Sequence, residues 1–233
     1  MKIGIRSILI LAATSTLWCQ EQGSLKDALQ QKVADLKASV AANQAQLKKY
    51  QWLQTTQVSI KGQTKKEEQA QCRYGPDGKL QETPVGTPPE PKAPPRGLKG
   101  KVVAKKVEEM KDYTNRLKSL VGHYAPPDPQ TMQAAAQTGK ANVNGAEGGA
   151  TLTFTDYYKP GDKVAFAFDT AKKLKSYDVN TYLDDPKKDI VTLTNQFASL
   201  PDGTNYLQQT VLDASGKQIQ IKTTNSGHSL VGP

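Results

Sequence analysis

The alternation of apolar and polar side chains is clearest in residues 150–226, where it predicts strands joined by tight turns. Residues 151–157 read TLTFTDY and interleave Thr with Leu and aromatics. In 163–169, Val164, Phe166 and Phe168 share one face, and Ala165 and Ala167 share the other. Tyr177, Val179, Thr181 and Leu183 fall together in 174–183, as do Val191, Leu193 and Phe197 in 190–199. Residues 206–213 and 218–225 pair across 214–217, with Ile219 and Ile221 facing one way and Gln218, Gln220 and Lys222 the other. The breaks at 159–162, 184–188 and 200–204 carry Pro, Gly and Asp as turns require. Connections this short make neighbouring strands antiparallel, because a parallel crossover needs about a dozen residues or more. One apolar face and one polar face describe a sheet covered on one side and wet on the other.

The helical period dominates residues 24–50. Leu25, Leu29, Val33, Leu36, Val40, Leu47 and Tyr50 form a stripe that Asn43 interrupts, with Ser24 as cap and Asp27 beside the helix start. This helix runs straight into a strand over 51–61, where Trp52, Thr56, Val58 and Ile60 alternate with polar residues. Two more strands follow at 65–74 and 79–85, the second after the turn 75–78. Residues 84–101 hold six prolines and predict a surface loop. A second amphipathic helix spans 102–124, with Val103, Val107, Met110, Leu117, Leu120 and Val121 on its apolar side. Asp128 and Pro129 then open a short helix that runs to 138 and stops at Gly139, and 142–149 form a Gly/Asn-rich approach to the meander. The expected fold is α+β. One antiparallel sheet carries a long N-terminal helix and a helical insertion. A single domain covers 24–226, interrupted by the Pro-rich loop 84–101 and the helices of 102–138.

Composition adds the compartment. Met1–Arg6 is basic, 7–17 is apolar and polar residues follow Cys19, the layout of an export leader ending near residue 19. The apolar run is too short for a bilayer span, which takes about 20 residues. The expected location is periplasmic or secreted. Lipid anchoring through Cys19 is disfavoured because bulky Trp18 precedes it. Export would leave Cys72 without an intramolecular partner, as a small packed side chain. Net charge is +9, and only four of the 31 basic side chains are Arg. A Lys-rich, Arg-poor surface on an exported protein argues against nucleic acid and leaves an anionic membrane surface or acidic polymers as charge partners.

No catalytic set emerges. His123 and His228 lack metal-ligand spacing, 97–101 lacks the pattern of a phosphate loop, and Asp184 and Asp185 sit together in a turn. No enzyme, cofactor or metal is expected.

Leader, long helix feeding strand one, helical insertion and closing meander: this order resembles the periplasmic lipoprotein-carrier (LolA/LolB-like) superfamily. The stretch LPDGTNYLQQTVLDASGKQIQI at 200–221 is similar to secreted bacterial proteins of that layout. The resemblance implies a half-barrel: a curved antiparallel sheet, an unclosed β-barrel, with the long N-terminal helix and the helical insertion on its concave face, capping an apolar surface that holds acyl chains. A curved sheet under helices leaves a cleft, and its expected lining is Trp52, Val58, Ile60, Val164, Phe166, Phe168, Ile219 and Ile221. The functional expectation is an envelope binding protein for a lipid or acylated partner. The alternative is a scaffold that binds a protein or acidic polymer.

Overall fold

A computed structural model of the protein describes residues 41–86, 98–125, 127–146 and 148–232, together with positions 31, 34 and 38. Ten strands form one antiparallel sheet: β1 (Tyr50–Ile60), β2 (Gln63–Tyr74), β3 (Leu80–Val85), β4 (Ala141–Ala146), β5 (Gly149–Thr155), β6 (Lys163–Phe168), β7 (Leu174–Tyr182), β8 (Ile190–Ser199), β9 (Asn205–Ala214) and β10 (Ile219–Leu230). Two helices, α1 (Leu98–Gly122) and α2 (Pro129–Gln137), lie between β3 and β4 in the chain. The spatial order is β3-β2-β1-β10-β9-β8-β7-β6-β5-β4. The N-terminal hairpin therefore joins the closing meander through β1 and β10, and the sheet stays open between β3 and β4. The α+β class and the antiparallel sheet are those the alternation predicts, and the curved, unclosed form is the one the resemblance implied.

The cross-strand register stacks the inward residues into rows. One row runs Val58, Ile221, Leu212, Leu193, Val179, Val164, Phe154, Ala141 across eight strands. Its β5–β8 part is buried, with Phe154 and Val164 fully enclosed. Helix α1 supplies the other side of this core through Tyr113, Leu117 and Leu120, which recur at four and three residues and so share one helix face, and Tyr124 joins them from the turn just past the helix end. Each such large side chain contributes roughly 1.5–3 kcal/mol by leaving water. Helix α2 adds Met132, Ala135 and Ala136 to the same core.

Side chains also fasten the helices. Asp128 caps α2, its carboxylate accepting from the backbone N–H of Gln130 and Thr131, with Pro129 at the first turn. Tyr113 donates to Asp189 in the β7–β8 turn at 2.7 Å, and Tyr124 donates to Asp162 in the β5–β6 turn at 2.6 Å. Arg116 pairs with Asp184 beside them.

Four expectations need correction. Residues 142–146 belong to β4, an edge strand paired with β5, and do not merely approach the meander. Pairing overrides the weak strand preference of Asn and Gly there. Helix α1 begins at Leu98, inside the segment expected to be loop. Its apolar stripe is only half used: Val103 and Val107 are exposed, while Tyr113 and Tyr124 are buried. Last, the helix before β1 ends sooner than expected: residues 41–47 are helical and Tyr50 already opens the strand. Most of 24–40, the expected leader 1–19 and the Pro-rich stretch 87–97 lie outside the described residues.

Candidate functional site: the inner wall of β9, β10 and β1

Six of the eight expected lining residues meet in or against one apolar cluster. Val164, Phe166 and Ile219 are buried in it, and Ile60, Phe168 and Ile221 pack partly buried against it. Val164 and Phe166 are among the most enclosed side chains of the sheet, in the cluster that α1 also joins. Val58 pairs with Ile221 and continues the row to β1, where it is half-buried. Trp52 shares the Val58 face of β1 by strand alternation but belongs to a separate aromatic group.

The inner wall changes character along β1 and β10. Near the β1–β2 and β9–β10 turns it is apolar, through Ile60 paired with Ile219 and Val58 paired with Ile221. One step further, Thr56 pairs with Thr223 and Thr223 with Thr210, which lies opposite Asn195. These groups bond to one another: the Thr56 and Thr223 hydroxyls are 3.2 Å apart, and the Thr210 hydroxyl donates to Asn195 Oδ1 at 2.8 Å. Asn195 Nδ2 donates in turn to the Tyr177 carbonyl. On β7, β6, β5 and β4 this same row is Tyr177, Phe166, Leu152 and Val143, so it turns polar at β8 and stays polar through β9, β10 and β1 to Glu68 on β2.

The aromatic group closes the far end. The β1–β10 register slips between Gln51 and Leu53, so Gly227 and His228 stand opposite the single residue Trp52. Gly227 takes φ +64, the left-handed conformation of a glycine bulge. The extra residue turns the His228 ring onto Trp52, with centroids 5.7 Å apart and planes 15° apart. Tyr206 meets the same imidazole at 4.1 Å, and Tyr74 meets Trp52 at 5.7 Å. Trp52 Nε1 donates to Asn225 Oδ1 at 3.1 Å. Burial lowers the basicity of His228. Asn43, the polar break in the N-terminal stripe, is a tie: its Oδ1 accepts from the Asn205 N–H at 2.7 Å and its Nδ2 donates to the Asn205 carbonyl.

The sequence missed the Thr–Asn row because each of its residues reads singly as ordinary strand composition. The signal that could have found it is the recurrence of Thr at inward positions of three strands, Thr56, Thr210 and Thr223. A hollow of about 400 Å³ lies beside the β9–β10 turn, lined by Ser59, Ile190, Asp213, Gln218 and Gln220 among others. Among the described residues, no three His, Cys, Asp or Glu side chains stand close enough to hold a metal ion. No helix of the described residues is long and apolar enough to cross a membrane.

No protein-family model matches the chain. No curated protein matches it. Among solved structures it is similar to the crystal structure of a DUF1329 family protein from Desulfovibrio piger, at 9% identity over 90% of this chain and 95% of that one, with a TM-score of 0.41. A likeness at that level carries no argument about function.

Proposed function

We propose that the protein is a non-catalytic binding module that holds an amphipathic lipid, or an acyl chain on a partner, along the inner wall of β9, β10 and β1. What carries this reading is the graded wall. Half-buried Val58, Ile60, Ile221 and Leu212 offer an apolar strip, and Thr56, Thr223, Thr210 and Asn195 lie one row away. An acyl chain laid on the strip gains about 25 cal/mol for each Å² of apolar surface it shields. The half-buried hydroxyls of Thr56 and Thr223 suit the ester or polar head of the same molecule. This side of the wall continues the core formed by the strands under α1.

Native mass spectrometry of the purified protein tests the reading directly, because carried lipid appears as added mass. Ile221→Glu places a charge on the strip and should remove that mass and abolish fatty-acid probe binding, while circular dichroism stays that of the folded sheet. An unliganded protein that also ignores fatty acids and phospholipids in titration would end the proposal.

A further inference from the structure

We infer that the first half of α1 is a docking surface for an anionic lipid bilayer. Every side chain from 101 to 109 is exposed, whereas from Met110 onward the helix packs on the sheet. The apolar stripe does not stop where the packing stops. Val107 and Val103 continue it at three and seven residues before Met110, and Val102 lies beside them. These three valines are 61%, 42% and 57% exposed.

Charge selects the occupant. Lys101, Lys105 and Lys106 stand among the valines, and the chain carries no acidic residue between Glu90 and Glu108. The first turn of a helix adds its own partial positive charge to this end. Protein interfaces enrich aromatics, Met and Arg and deplete Lys. This surface has the reverse composition, small aliphatics with lysine, which suits shallow insertion among anionic headgroups. Glu108, Glu109 and Asp112 mark where the basic stretch ends. The surface is separate from the inner wall, so its test does not depend on what that wall holds.

The experiment is vesicle co-sedimentation of the chain lacking residues 1–19, which lie outside every described element. Vesicles of phosphatidylcholine with phosphatidylglycerol are compared with vesicles of phosphatidylcholine alone. Binding is expected only with phosphatidylglycerol present, and it should weaken as salt is raised. Each of K101Q, K105Q and K106Q should weaken binding about fivefold. The double change V103S/V107S should weaken it further at constant charge. All these positions are exposed, and an unchanged melting curve shows that the fold is kept. Ile221→Glu on the inner wall should leave sedimentation unaltered. The inference is overturned if vesicles do not bind, if phosphatidylcholine alone binds as well, or if the lysine and valine variants sediment like the parent. It is also overturned if Ile221→Glu alone abolishes binding, since the contact would then be the inner wall.

Discussion

Tyr124 and Asp162, 38 positions apart in the chain, meet in the buried end of the sheet, the phenol donating to carboxylate Oδ2 at 2.6 Å. The same carboxylate accepts the backbone N–H groups of Tyr157, Tyr158 and Lys159, so one side chain both shapes the β5–β6 turn and receives the end of α1. Tyr124 also stands 2.8 Å from the Thr181 hydroxyl, and its carbonyl accepts from the Tyr177 phenol. Burial, reinforced by the bond to Asp162, pushes the Tyr124 phenol well above its ordinary range, so it remains a donor throughout the stable pH range.

Tyr124→Phe keeps the ring and removes the donor. It should destabilise the protein by roughly 1.5–3 kcal/mol, the scale of a hydrogen bond to a charged group. Urea denaturation at neutral pH measures it. Tyr113→Phe removes the matching bond to buried Asp189 and should act in the same direction. A double variant whose losses add would show the two anchors to be independent.

Gly149 opens β5 with φ +136, and a Cβ there would stand 1.9 Å from the Phe168 carbonyl oxygen. Gly149→Ala must therefore push β5 away from β6 as well as strain its own backbone. A loss above about 3 kcal/mol is expected, toward the top of the usual range for single changes. Thermal melting would show it as a large drop in midpoint or a failure to fold.

His228 is a base whose folded pKa burial lowers from 6.5. The unfolded chain then binds the proton more readily than the folded one. Stability from this site is full above pH 6.5 and falls as the pH drops below it toward the folded pKa. Denaturation midpoints between pH 7.5 and 5, values set by the window of a histidine near ~6.5, should decline, and His228→Gln should flatten the slope. Asp128, Asp156 and Asp202 lie in a separate window. Bonds from the Thr131 hydroxyl, the Gly161 N–H and the Thr204 N–H, respectively, hold their carboxyls below 3.8. Their contribution is present above that pH and is lost as the pH falls through their folded values.

Cys72 is fully buried on β2, and burial pushes its thiol up to about 11. A thiol neutral at pH 7 and out of reach of reagent should not react in the native protein. A disulfide reagent such as dithionitrobenzoate should label it only after denaturant is added. Fast labelling of the native chain would show that β2 opens locally.

The two-residue alternation made β5 to β10 legible, because inward residues such as Val164, Phe166 and Ile221 must share a face wherever one side of a sheet is buried. Turn chemistry supplied the antiparallel order, and Asp128 with Pro129 announced α2. Strand β4 was not legible, since Asn142, Asn144 and Gly145 have low strand preference and take that form only by pairing with β5. Of the expected lining, the residues of β6 and β10 were readable as one apolar face, but not that Val164 would be fully enclosed in the core while Val58 stays half-buried.

The sequence by itself determined the class of the sheet, the positions of most strands and which side of each faces inward, because those follow from local period and turn residues. Only the tertiary structure decided that β1 pairs with β10, that Tyr113 and Tyr124 dock on Asp189 and Asp162, and that Val103 and Val107 project free. Each of those joins residues far apart in the chain, and no local pattern encodes which distant partner a donor, a strand edge or an apolar stripe will meet.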